Sequence, residues 1–310
     1  FLHPHPATPD PLWSRGLGDV YKRQNQNLQK DVKKYVQNWI KEGLTDWDIT
    51  RDISWGVSVP VDGVNDKVFY GWFDNHLAYI SSAVKFLNEN GKDGKKFWNE
   101  SDIYHFIGKD IVYHHYLFLP AMRLGIEEEY KLPDYIPTRG HLTLQAKKIS
   151  KSRNWYIGLK DFLQILPADY LRFYLVSINP YSQDDLNFDW DEFATKINSE
   201  LIGNLGNLVN RALGFTVKAF DGIVPDPEEF DDMDKESEKA IKDLGSETGV
   251  LMEQNHLDRA LKKILQFSAH FNQYFQHKEP WKKAHGTGAC VYLSLIHISE
   301  PTRPERIGVG

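Results

Sequence analysis

The sequence predicts an α/β fold that passes into an all-α region, and three observations carry that prediction. Residues 25–187 alternate short apolar runs with helix-like periodic stretches, the pattern of strands and helices layered on a parallel sheet. Residues 188–292 show only apolar positions three and four apart, as packed helices do. The chain has 310 residues, 41% of them hydrophobic, which is enough for two such domains.

The elements follow in order. Leu28, Val32, Tyr35, Val36, Trp39 and Ile40 share one helical face, with Gly43 as the stop. A polar loop from Asp46 to Asp52 leads into Gly56-Val57-Ser58-Val59-Pro60, a short strand. Val68-Phe69-Tyr70-Gly71-Trp72-Phe73-Asp74 reads as a strand ending in an aromatic–acid pair, and Tyr79, Ile80, Val84 and Phe86 mark the helix after it. The same order returns in Ile103-Tyr104-His105-Phe106-Ile107-Gly108-Lys109-Asp110, continuing through Ile111, His115, Leu117 and Phe118. Ligands of parallel sheets sit beyond the carboxyl ends of the strands, which is where Trp72, Asp74, Gly108 and Asp110 fall. Residues 167–175 read as a helix, and a domain boundary is expected near Asn187. Beyond it, Leu201, Leu205, Leu208, Val209, Ala212 and Phe215 form one stripe, and Leu257, Ala260, Leu261, Ile264, Leu265 and Phe271 another. The acidic stretch 226–234 reads as a solvated spacer.

The two ends share no periodicity with the middle. Asp19-Val20-Tyr21-Lys22-Arg23-Gln24 can be encoded by a DNA stretch whose reverse complement encodes Leu293-Ser294-Leu295-Ile296-His297-Ile298. One DNA element in opposite orientations, resembling a transposon end used to tag fragments for sequencing, accounts for both. Residues 1–24 and 293–310 are therefore set apart as adapter-derived tails.

A single cysteine, Cys290, leaves neither a disulfide framework nor a cysteine zinc knuckle within the chain. His115 stands in no metal-ligand spacing, so no metal site is expected. No apolar run approaches a membrane span, and no signal-peptide layout is present. The expectation is a cytoplasmic protein without a membrane partner. A net charge of -6 still permits an RNA partner on a local basic face.

The densest chemistry lies in Lys147-Lys148-Ile149-Ser150-Lys151-Ser152-Arg153, four cations and two hydroxyls in seven residues. Ammonium groups, hydroxyls and backbone amides on one loop suit a polyphosphate, because charge-assisted bonds to phosphate oxygens are strong. Lys148 to Ser152 resembles the KMSKS signature of class I aminoacyl-tRNA synthetases, with Ile149 in place of methionine. The resemblance narrows to the methionyl-tRNA synthetase family from Leu44 to about Ala284. It is carried by Asp46-Trp47-Asp48-Ile49-Thr50-Arg51-Asp52, Trp72-Phe73-Asp74, His105-Phe106-Ile107-Gly108-Lys109-Asp110-Ile111, Asn207 to Arg211, and Glu279-Pro280-Trp281. The histidine-to-isoleucine run is the most specific of these, since the valine, isoleucine and leucine enzymes differ there.

The resemblance implies the second half of a Rossmann-like catalytic domain followed by an anticodon-binding helix bundle. It implies methionine, ATP with Mg2+, and tRNA(Met) as substrates, with methionyl-adenylate as intermediate. By the family's motifs, Lys148 and Lys151 are catalytic, neutralising charge on the leaving pyrophosphate. Gly108, Asp110, Gly140, Lys148, Ser150, Lys151 and Ser152 bind ATP. Trp72, Tyr79, Ile111 and His115 form the methionine pocket, and Asn207, Arg211 and Trp281 read the anticodon. The last three are expected on one exposed patch, with Asn207 and Arg211 turned away from the core.

Three departures stand out. Asn75-His76 replaces the usual small residue followed by Pro, Thr or Val, and both side chains are expected at the pocket rim. Arg139 replaces the usual histidine before Gly140. The half of the site bearing the HIGH signature, and the insert that holds zinc where zinc is present, would lie upstream, so the chain by itself is expected to be inactive. The competing readings are a class I synthetase for another aliphatic amino acid and a tRNA-binding module without catalysis.

Overall fold

The computed structural model describes residues 27–299 except 45–46, 65, 127, 228 and 283–286. The tail 1–24 and Asp46 thus lie outside the described residues. The chain forms two compact units that divide after Gly140.

In the first unit, helix α1 (Lys30–Glu42) buries Val32 and Val36, and Gly43 ends it in a left-handed conformation (φ 96°). Strands β1 (Thr50–Arg51) and β2 (Val68–Phe69) pair antiparallel. Helix α2 (Gly71–Glu89) follows, then α3 (Gly94–Glu100). Strand β3 (Ile107–Gly108) runs into a 3-10 turn (Lys109–Ile111), a π-helical segment (His114–Phe118) and α4 (Leu119–Leu124). Strand β4 (Thr138–Arg139) pairs with β3 in parallel, as the strand–helix alternation predicts. Leu28, Val32, Val36, Ile107, Val112, Tyr116, Leu117 and Ile136 make the core beneath these strands. Two polar contacts set its geometry. The Tyr116 hydroxyl donates to the Ile136 carbonyl at 3.1 Å, and the Thr138 amide donates to Gln29 Oε1 at 2.7 Å.

In the second unit, β5 (Leu142–Leu144) lies between β6 (Lys147–Lys148, antiparallel) and β7 (Leu186–Phe188, parallel). Gln145 (φ 49°) and Ala146 (φ 58°) both take left-handed backbone to close the β5–β6 hairpin, the conformation that two-residue turns demand. Helices α5 (Leu159–Ile165) and α6 (Ala168–Ser177) cover this sheet, with Phe162, Tyr174, Phe188 and Phe193 buried between them. Helix α7 (Trp190–Lys196) opens on an Asp189 cap and continues through a π-helical segment (Ile197–Gly206) into α8 (Asn207–Phe220). Helices α9 (Asp232–Glu253), α10 (Leu257–Lys278) and α11 (Gly288–Ser299) complete the bundle. Its core contains Leu208, Ala212, Phe271, Tyr274, Phe275, Cys290 and Val291.

Four features differ from the sequence expectation. Trp72, Phe73 and Asp74 occupy the first turn of α2 and not the end of a strand. An apolar run this short does not separate strand from buried helix, and only Val68 and Phe69 find a strand partner. The compact units divide after Gly140, ahead of the change in periodicity near Asn187, because β7 returns to pair with β5. The acidic stretch 226–234 is no mere spacer. Asp231 caps α9 in a reciprocal box with Asp234, and Lys278 bridges both carboxylates at 2.7 and 2.6 Å. Asp234 is 2% exposed and also accepts from the Tyr274 hydroxyl. Finally, Leu293 and Leu295 are buried in the helical core although their stretch was set apart as a tail. Their apolar side chains suffice for that packing, whatever the origin of the segment.

Candidate functional site

The first unit brings one set of expected residues together at the carboxyl ends of β3 and β4. Gly108 pairs with Arg139, so Gly140 follows directly beyond the strand end. A side chain at residue 108 would collide with its neighbour, since a Cβ there would stand 2.5 Å from Asp110 Oδ1. Bare backbone beside an exposed carboxylate makes a cradle that can accept ribose hydroxyl groups.

Next to this cradle, aromatic rings from α2 meet the π-helical segment. Trp72 stacks on His114 at 4.9 Å between centroids, and Tyr79 lies 4.6 Å from His105. His115 is fully buried, with Nδ1 3.0 Å from the Ile111 carbonyl and Nε2 3.2 Å from the Tyr79 hydroxyl. A carbonyl only accepts, so the neutral ring carries its proton on Nδ1 and the tyrosine donates to Nε2. Trp72, Tyr79 and His115 therefore stand in one cluster, with Ile111 contributing its carbonyl. Trp72 (39%) and Tyr79 (44%) keep the cluster open to solvent.

His76 departs from its expected place. Asn75 is exposed, as a rim position requires, but His76 is only 1% exposed. Its ring lies 5.1 Å from His115 and 5.2 Å from His114. Residue 76 is on the inner face of α2, where the helix packs on the π-helical segment. Burial pushes His76 and His105 down to about 4, with His115 adding to both shifts, and burial also lowers His114 and His115. The cluster is thus uncharged at neutral pH. Among the described residues, His76 Nε2, His105 Nδ1 and His114 Nδ1 are buried and meet no hydrogen-bond partner. Among the described residues no group of three or more His, Cys, Asp or Glu side chains is placed to hold a metal ion.

In the second unit the cationic loop hangs from β6. Ser150 and Trp155 exchange backbone hydrogen bonds at 2.9 Å and close a turn over Lys151, Ser152, Arg153 and Asn154. The hydroxyls of Ser150 and Ser152 lie 3.1 Å apart. Lys148, Lys151 and Arg153 are exposed, and among the described residues none of them is ion-paired. The Trp155 indole N–H donates to the Leu144 carbonyl at 3.0 Å and pins the loop base to the sheet. Fixed base and unspent cations are what an incoming polyanion requires.

The bundle unites the last three expected residues. Asn207 Nδ2 donates to Asn272 Oδ1 at 2.9 Å, and an Arg211 N–H donates to Gln276 Oε1 at 2.9 Å. The guanidinium lies 5.8 Å from the Trp281 ring, which is 46% exposed. Asn207 and Arg211 do not turn away from their neighbours; they face α10, whose Asn272 and Gln276 had not been foreseen.

A family profile described as tRNA synthetases class I (M) matches residues 13–213, well over half of the chain. The chain belongs to this family. Among synthetase relatives, the methionine–tRNA ligase of Methanopyrus kandleri is 43% identical over 260 residues, covering 83% of this chain and 38% of that protein. The methionine–tRNA ligase of Pyrococcus horikoshii is 41% identical over 292 residues, covering 88% and 40%. Among solved structures, Mycobacterium tuberculosis methionyl-tRNA synthetase in complex with methionyl-adenylate superposes with a TM-score of 0.81 at 27% identity, covering 91% of this chain and 56% of that one. The chain thus spans about two fifths of the curated synthetases it matches. Within this chain, the residues that sequence reasoning missed leave a faint signal. Asn272 and Gln276 are a polar pair four apart beside the buried aromatic residues Phe271, Tyr274 and Phe275 of one helix. His105 and His114 fall with the expected His115 in one strand-to-helix passage.

Proposed function

We propose that this chain is part of a methionine–tRNA ligase, which activates methionine with ATP and transfers it to tRNA(Met). The observation that carries the reading is a likeness to methionine–tRNA ligases that runs through both units. The neutral aromatic and imidazole cluster fits a thioether side chain, since sulfur packs well on ring edges and no charge opposes it. Gly108, Asp110 and Gly140 are suited to the nucleoside part of ATP. Lys148, Ser150, Lys151 and Ser152 are suited to phosphate, with Mg2+ arriving on the nucleotide, since that ion is held largely by substrate phosphates. The helices of the second unit, with Asn207, Arg211 and Trp281, serve as the anticodon-binding bundle. No helix among the described residues is long and apolar enough to cross a membrane, in keeping with a cytoplasmic enzyme.

Lys151 and Lys148 act on charge that grows as pyrophosphate leaves, so they stabilise the transition state more than bound methionine. In the complete gene product, Lys151→Ala should slow methionine-dependent pyrophosphate exchange by about a hundredfold, with methionine KM little changed. A variant altered only in methionine KM, or a complete product without methionine-dependent exchange, would refute the reading.

A further inference from the structure

Three amides in the helical bundle form a directed relay. Asn204 Nδ2 donates to the Leu265 carbonyl at 2.8 Å, which leaves Asn204 Oδ1 facing Asn272. Asn272 Nδ2 then has acceptors only: the Asn204 carbonyl at 2.9 Å, Asn204 Oδ1 at 3.2 Å and the Ser268 carbonyl at 3.2 Å. Carbonyl oxygens cannot donate, so Asn272 cannot flip its amide without setting oxygen against oxygen. Its Oδ1 must therefore face Asn207, and it takes the Asn207 Nδ2 proton at 2.9 Å. The nitrogen of Asn207 is held inward, and its Oδ1 is the atom left to meet a ligand. Among the described residues no donor meets that oxygen.

Arg211 is held beside it. One terminal N–H bonds to Gln276, and the guanidinium lies 5.2 Å from Phe275 and 5.8 Å from Trp281. The patch thus offers one fixed acceptor, a set of fixed donors and an indole face. A base that complements it carries an exocyclic amino group beside an acceptor, as cytosine does. Uracil would set its O4 against Asn207 Oδ1.

We propose that Asn272 is the positioning residue of this patch: it orients Asn207 so that an amino-bearing base is accepted and its keto counterpart refused. This rests on the anticodon reading given above. The fixed end of the relay is its three backbone carbonyls, Asn204, Leu265 and Ser268, which a ligand does not reorient.

The test uses the whole 310-residue chain and two hairpin RNAs, one with the loop triplet CAU and one differing only by U for C, with binding read by fluorescence anisotropy. The unaltered chain should prefer the CAU hairpin by about tenfold, the lower range for one well-made base contact. Asn272→Ala should bring the ratio near one, because the released Asn207 amide then presents either end. Asn272→Asp should keep the ratio, since a carboxylate still accepts from Asn207, while its melting temperature falls for want of donors to the carbonyls. Asn207→Ala should abolish the ratio, and adding Asn272→Ala should change it no further. Should Asn272→Ala not fold, a ratio lost in Asn272→Asp overturns the proposal by itself. Equal weakening toward both hairpins in Asn272→Ala, with the ratio kept, also overturns it and leaves a merely structural asparagine. If the unaltered chain does not bind the CAU hairpin above an unrelated loop, the anticodon reading fails and takes the proposal with it.

Discussion

The imidazole cluster of the first unit and the amide patch of the second both gather polar side chains beside aromatic rings, but they treat hydrogen bonds oppositely. In the cluster, His76 Nε2, His105 Nδ1 and His114 Nδ1 are buried and find no partner among the described residues. In the patch, Asn204, Asn207 and Asn272 satisfy one another and their helices, leaving only outward atoms unspent. An unpaired buried group costs about 1–3 kcal/mol, whereas a satisfied network adds rigidity. The cluster therefore holds binding capacity at the expense of stability. The patch uses stability to hold one geometry. Three experiments bear on that contrast.

The largest effect expected is on pH dependence. His76 and His105 titrate at about 4 in the fold against an ordinary value of 6.5, so the unfolded chain takes up protons first. The stability of the first unit should be full above pH 6.5 and should fall as pH drops toward 4, by roughly 3 kcal/mol for a fully buried imidazole shifted this far. Amides do not titrate. In the second unit Asp231 is held at about 2 by the Lys278 ammonium and the Asp234 amide, against an ordinary value of 3.8. Its contribution is present above 3.8 and lost only as pH falls toward 2. Peptide-resolved hydrogen exchange at pH 7.5, 5.5 and 4.5, with rates corrected to a common chemical scale, should show residues 71–118 losing protection while α8 and α10 keep theirs. Equal loss in both would erase the contrast.

The next effect is on binding. Trp281 is half exposed and stacks on nothing that fully covers it. Trp281→Ala should weaken the CAU hairpin by about tenfold, the value of one base–aromatic stack, with little change in melting temperature. A large loss of stability at unchanged affinity would mark the indole as part of the bundle core.

The smallest effect carries the sharpest sign. His76→Phe replaces an unpartnered ring with an apolar one of similar size, so at pH 7.5 it should stabilise the chain by about 1 kcal/mol in urea melts. Asn272→Ala should do the reverse. Destabilisation by His76→Phe would mean that the imidazole is already satisfied.

Much of this was legible in the sequence, and the losses have physical causes. The loop of Lys148 to Ser152 declares itself because its chemistry is contiguous. The Asn207, Arg211 and Trp281 grouping was legible through the family resemblance, since helical spacing joins Asn207 to Arg211 and does not bring Trp281 to them. His76 could not be placed on the cluster's inner side from its neighbours, because its burial is created by packing of α2 on the segment His114–Phe118. Asp234 looked like a solvated acid for the same reason. Its partners, Tyr274 and Lys278, lie on a helix far along the chain. Parallel pairing at β3 followed from strand–helix alternation, but its partner Thr138–Arg139 did not. The place where strand gives way to helix at Gly71 did not, since both states tolerate the same apolar run.

Cys290 gives the second unit a further property. It is the chain's one cysteine, lies 1% exposed in the helical core, and burial pushes its thiol up to about 12. Thiolate, not thiol, is the reactive form, so the sulfur is masked both sterically and chemically while α11 stays docked. Detachment of that helix would unmask a single nucleophile, and the rate of its alkylation by a small iodoacetamide would time the opening of the bundle without any substitution in the chain.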